Sequence, residues 1–149
     1  MRLPRGITGF HKAGEPALPE VDKKLFKQLC YNIILKTGGL VTQWTEAEYP
    51  NNYHLAQITT LHNHKDFLIL LHQHFPFIAF ASEIQHGEAI FIDVLEWKKY
   101  LSPYYQVLDA ETLNQPFDEE QSSLSSDEIA EIRYWRPAII GHIIFNQWG

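Results

Sequence analysis

Histidine is the side chain best suited to chemistry near neutral pH, as metal ligand, general base or proton shuttle. Five of the eight histidines here, His54, His62, His64, His72 and His74, fall inside one stretch of 21 residues. Two His-x-His pairs, 62/64 and 72/74, invite a four-ligand metal cage, because residues i and i+2 of a strand share a face. Register tests that idea. With residues 63–66 as the hairpin turn, His62 pairs with Phe67 and His72 lies opposite Gln57. At about 3.3 Å per residue the two pairs then stand roughly 17 Å apart. Zinc–nitrogen bonds of about 2.0–2.1 Å cannot bridge that gap. The same register sets His54 opposite Phe75, on the other face from His74. The sequence therefore predicts imidazoles strung along a β ribbon, with no catalytic residue, no metal site and no cofactor.

Other chemical groups are sparse. Glu83 and Glu88 bracket a turn at 84–87 that carries His86. In a simple hairpin they face each other, and opposed like charges cost stability, so either the register differs or the site has a use. Asp93 interrupts an apolar run and needs a partner if buried. Nucleophile elbows, phosphate-cradling glycine loops and dinucleotide fingerprints are missing from the sequence. Cys30, the single cysteine, falls on an apolar helical stripe, which predicts a packing residue rather than a nucleophile.

The elements that must position these groups can be read from periodicity. Residues 19–37 repeat as a helix, with Val21, Leu25, Leu29 and Ile33 spaced by four and Phe26, Cys30 and Ile34 beside them. Gly38 and Gly39 stop it. Strands are expected at 40–45, 53–62, 67–72, 77–83 and 88–96, with an edge strand at 104–108 and one helical turn at 97–101. The tight polar turns between them indicate an antiparallel meander. The runs 67–71 and 89–94 are apolar on both faces, as in central strands covered from two sides. Ser125 with Glu128 forms a capping box opening a helix over 127–135. Pro137 breaks that helix, and a second one is expected from 138 to about 146. The fold class predicted is α+β: a meander of about five strands with one N-terminal helix and C-terminal helices packed on it. A chain of 149 residues fits one domain over 1–149.

Charge is unevenly spread. The formal total is −6. Seven of the twelve basic residues precede position 37, whereas 100–132 holds eight acids and no lysine or arginine. Such a window is either a solvated loop and helix start or an acidic face for a basic partner. No basic stripe with interleaved aromatics appears, which disfavours nucleic acid. The N-terminus lacks a signal-peptide core and no segment approaches the roughly 18 apolar residues of a membrane span, so a cytoplasmic location without membrane contact is expected. Near the C-terminus, Tyr134, Trp135, Phe145 and Trp148 crowd beside Arg133 and Arg136. They either pack the last helices on the sheet or supply interface anchors. The candidate partner-binding residues are Asp118, Glu119, Glu120, Trp135, Arg136 and Trp148.

Three segments taken together resemble a group of small uncharacterised bacterial proteins of about this length: Leu3-Pro-Arg-Gly-Ile-Thr-Gly-Phe10, Phe75-Pro-Phe-Ile-Ala-Phe-Ala-Ser82 and Tyr134-Trp-Arg-Pro-x-x-Ile-Gly-x-Ile-Ile-Phe-Asn-x-Trp148. Some small bacterial proteins of this type are immunity partners in polymorphic toxin systems. The resemblance implies that role and carries over no catalytic residue. Two functional classes follow. One is a non-catalytic protein-binding module, in its sharpest form an immunity protein blocking a cognate toxin. The other is a small metal-dependent or histidine-based hydrolase using the hairpin 54–74, which requires His72 or His74 beside a carboxylate in one cleft.

Overall fold

A computed structural model describes residues 1–11, 14–61 and 65–149. The chain runs α1 (Lys23–Thr37), β1 (Leu40–Thr45), β2 (Tyr53–Thr59), β3 (Asp66–His72), β4 (Phe77–Gln85), β5 (Glu88–Ile92), α2 (Leu95–Leu101), β6 (Gln106–Val107), α3 (Ala110–Leu113), a 3-10 turn (Glu119–Gln121), α4 (Ser126–Trp135) and α5 (Gly141–Ile144). The five long strands form an antiparallel meander in the order β1-β2-β3-β4-β5. The expected edge strand appears as β6, which lies parallel to β4, pairing Phe77 with Gln106 and Ile78 with Val107. The fold is α+β, as the periodicity predicts.

Alternation along the strands builds two cores. Tyr53, Leu70, Phe77, Ala79 and Phe91 point to one side, where they meet the N-terminal segment, α3, α4 and α5. Ala56, Ile58, Ile69, Leu71, Ile78 and Phe80 point to the other, onto Phe26, Cys30 and Ile33 of α1 and Trp97 and Leu101 of α2. A sheet buried on both sides must be apolar at successive positions, which accounts for the unbroken run in β3. β5 departs from expectation. It is the last strand of the meander, and Ile90 on it is 42% exposed. Its apolar run reflects cover by α3 and α5 on one face and Ile92 packing on the other, not a central position.

Local signals explain the helix ends. Asp22 caps α1 by accepting from Leu25 N, so the helix starts later than the apolar pattern begins. Gly39 sits at φ +116, where a Cβ would come within 2.5 Å of the Thr59 carbonyl. α4 opens with the Ser125/Glu128 capping box and closes on Arg136 in the left-handed conformation. The following helix is far shorter than 138–146. Ile140 N is drawn to Gln115 O and Phe145 turns extended, leaving only Gly141–Ile144 helical. Gly141 lies against the Phe91 ring, where any side chain would collide.

Cys30 is 1% exposed, and burial pushes its thiol up to about 12. A thiolate is the reactive form. Ellman's reagent at pH 8 is therefore expected to leave Cys30 unmodified in buffer and to titrate one thiol in denaturing urea. Rapid labelling of the folded protein would contradict the packing role.

Candidate functional site

The histidine ribbon has a different register from the one the sequence suggests. Tyr53 pairs with His72, His54 with Leu71, and Thr59 with Asp66. Partners in β2 and β3 thus sum to 125 rather than 129, a shift of four positions. The connection spans 60–65, closed by Thr60 N donating to Lys65 O. His62, Asn63 and His64, with the first His-x-His pair and its separation of roughly 17 Å, lie outside the described residues. Directly paired residues share a face, so His72 points with Tyr53 into one core and His54 with Leu71 into the other. Among the described residues no group of three His, Cys, Asp or Glu is placed to hold a metal ion.

Each described imidazole of the hairpin is engaged by the fold. His72 is fully buried; its Nε2 lies 2.7 Å from Ile7 O, and its Nδ1 accepts from the amides of His74 and Phe75. Those bonds fix the neutral ring with the proton on Nε2, and burial lowers its pKa to about 3. His54 stacks on Trp44 and accepts from Ala47 N through Nδ1, and burial lowers its pKa as well. His74 Nδ1 faces Pro19 O at 2.8 Å, with Glu20 at 4.0 Å from the same atom. A hydrolase built here needs an imidazole nitrogen free to move a proton, and His72 has none.

His72 belongs to a buried polar lattice that sequence reasoning missed. Asn52 donates to Ile7 O and Ile144 O and accepts from Asn146 N. Asn146 donates to Thr8 O and Ile143 O. Glu128, also fully buried, accepts from Gly6 N, Thr8 N and Thr8 Oγ1. The lattice draws on segments 3–10, 75–82 and 134–148 alike: Ile7 and Thr8 from the first, Phe75 from the second and Asn146 from the third. Here these residues hold down the N-terminal strap around residues 6–8 by its main chain. Glu128 was visible only as a cap, and Asn52 only as a loop residue.

The remaining chemistry lies on the surface. The turn between β4 and β5 is His86–Gly87 alone, so Gln85 pairs with Glu88 and Glu83 with Ile90, and the two carboxylates do not oppose each other. Glu88 instead turns to His142, whose Nδ1 is 2.9 Å from Glu88 Oε2 without the geometry of a hydrogen bond. His142 Nε2 lies 3.0 Å from Ala89 O. Asp93 is exposed and accepts from Ala110 N at the start of α3.

The six candidate partner residues divide into two groups. Asp118 caps the 3-10 turn by accepting from Glu120 N, and Glu119 pairs with Arg133 of α4 at 3.4 Å. Trp135 and Trp148 come together as parallel rings 6.1 Å apart. Trp135 is 40% exposed and Trp148 only 9%, so one ring is surface and the other core, a division that the sequence did not reveal. Both line a cleft of about 390 Å³ shared with His86, Glu88, Pro137 and His142. Arg136, between two lining residues, does not contribute to its wall. No family model, curated protein or solved structure matches the chain. No described helix is long and apolar enough to cross a membrane.

Proposed function

We propose that this chain is a non-catalytic protein-binding module, in its sharpest form an immunity protein that neutralises a cognate bacterial toxin. The observation that carries the reading is the exposed aromatic pair Tyr134 and Trp135 at the end of α4, on the acidic layer of the molecule. Large exposed aromatic rings are the usual anchors of protein interfaces. The charge asymmetry of the sequence supports the same view once laid over the sheet. Lys23, Lys24, Lys27, Lys36, Lys98 and Lys99 belong to α1 and α2 on one side. The acids of 109–131 belong to α3, the 3-10 turn and α4 on the other. An acidic layer with an aromatic rim suits occlusion of a basic active site, since complementary charge speeds encounter.

The test is co-expression with the product of the adjacent gene. The neighbour alone is expected to arrest growth, and this chain to relieve the arrest. Substituting Asp118→Lys, Glu119→Lys and Glu120→Lys together should slow association with the purified neighbour by about tenfold or more at low salt. A harmless neighbour, or toxicity unrelieved, overturns the immunity reading. Three surface charge changes that leave the association rate untouched remove the acidic turn from the interface.

A further inference from the structure

We infer that the cleft formed by the β4–β5 hairpin tip and the C-terminal residues receives an arginine side chain of the partner. The inference rests on the binding reading above and gives it a specific pocket. Three features of the cleft converge on a planar cation. The first is aromatic: Trp135 and Trp148 lie nearly parallel, 4° between their planes, and both contribute to the wall. An indole face carries negative quadrupole and is the best aromatic platform for a cation. The second is the carboxylate of Glu88, which enters the wall beside them. His142 Nδ1 lies 2.9 Å from one of its oxygens. Glu88 is itself 61% exposed, so it remains open to a further donor.

The third feature is the surrounding field. Trp135 Nε1 donates to Glu131 Oε2, bringing a second carboxylate to the same turn of α4. The cations of this turn are Arg133, paired with Glu119, and Arg136 at the helix end, which does not contribute to the wall of the cleft. Neither imidazole of the wall, His86 or His142, stacks on the indoles; His142 instead packs beside Phe91. The chain already uses this interaction elsewhere: Lys27 Nζ sits 4.8 Å from the centre of the Trp44 ring. Guanidinium is favoured over ammonium because it stacks flat on an indole while directing two N–H bonds at one carboxylate. A volume of about 390 Å³ admits a side chain of that size with room to spare.

The probe is acetyl-arginine amide, followed through the indole N–H resonances of the four tryptophans. Saturable shifts are expected at Trp135 and Trp148, whereas Trp44 and Trp97, in the opposite core, stay fixed. Acetyl-citrulline amide, of the same shape without charge, should produce no saturable shift. Glu88→Gln should weaken the arginine response by about tenfold. Equal responses to arginine and citrulline, no saturation, or an unchanged Glu88→Gln variant overturns the inference. The two readings fail separately. If the neighbouring gene product binds with the same affinity to Glu88→Gln and to the natural chain, the arginine pocket falls and the binding role stands. If arginine binds the cleft but no neighbour binds the protein, the pocket stands and the immunity role falls.

Discussion

Lowering the pH from 7.5 to 5 is expected to remove roughly 2 kcal/mol of folding stability, mainly through His72. The ring is fully buried, and desolvation is the largest cause of its lowered pKa, about 3 in the folded chain against an ordinary 6.5. Bonding reinforces the burial. A second proton would go on Nδ1, which already accepts from the amides of His74 and Phe75 at 3.0 and 3.2 Å. Protonation would therefore set one donor against two others inside the core. The unfolded chain takes up the proton near 6.5 and the folded chain resists it. His72 thus contributes fully above 6.5, and that contribution is lost as pH falls from 6.5 towards 3. Each pH unit inside the window is worth about 1.4 kcal/mol. His54, whose pKa burial also lowers, adds in the same direction. Urea midpoints at pH 7.5, 6 and 5 measure the slope, and stopping at pH 5 excludes most carboxylate titration. His72→Gln should be less stable at pH 7.5 and much flatter with pH. An equal slope in that variant assigns the dependence elsewhere. If the variant does not fold, NMR titration of the natural chain decides instead, because a His72 ring that protonates above pH 5 removes it as the source.

The register of the β2–β3 hairpin shows what pattern alone cannot decide. Strand side chains alternate with period two, so an even slip keeps every apolar residue on its own face. A shift of four, from a turn at 63–66 to a connection over 60–65, leaves the hydrophobic pattern equally satisfied. What it changes is the neighbourhood of the histidines: His72 moves from beside Gln57 to beside Tyr53, at the end where Asn52 and the N-terminal strap lie. Strand existence, by contrast, was legible, because alternating or continuous apolar runs bounded by glycine and asparagine have few other uses. The capping box was legible for the same reason, as a local signature. The polar lattice was not. Asn52 bonds to the carbonyls of Ile7 and Ile144, 45 and 92 positions away, and a main-chain carbonyl carries no side-chain identity to read. The cleft mixed both kinds of information. Trp135 and Trp148 were evident as aromatic anchors, but their stacking depends on how the chain turns after Arg136, where α4 ends in a left-handed residue. Glu88 and His142 meet only because α5 packs on β5.

Truncating Glu128 should be the most damaging single substitution, costing about 3–5 kcal/mol. Its carboxylate is fully buried, and among the described residues no lysine or arginine forms an ion pair with it. What balances it is a ring of donors: Gly6 N at 2.9 Å, Thr8 N at 3.1 Å, Thr8 Oγ1 at 2.6 Å and Ser125 N at 3.2 Å. The first turn of α4, where it sits, adds the positive end of the helix dipole. Glu128→Ala leaves those donors facing a void, each unmet buried donor costing about 1–3 kcal/mol, and releases the strap from α4. Two comparisons separate this account from simple loss of a helix cap. Ser125→Ala removes only the outward half of the capping box and should cost about 1 kcal/mol. Glu128→Gln keeps one acceptor oxygen but turns an amide NH2 against the strap, so it should fall between the two. Urea unfolding gives the order of the three. Amide hydrogen exchange gives the mechanism: in Glu128→Ala the Gly6 and Thr8 amides should lose protection first, while β3 amides exchange only with global unfolding. If Glu128→Ala and Ser125→Ala proved equally mild, the strap would be held by the Asn52–His72–Asn146 lattice alone, and the carboxylate would be no more than a cap.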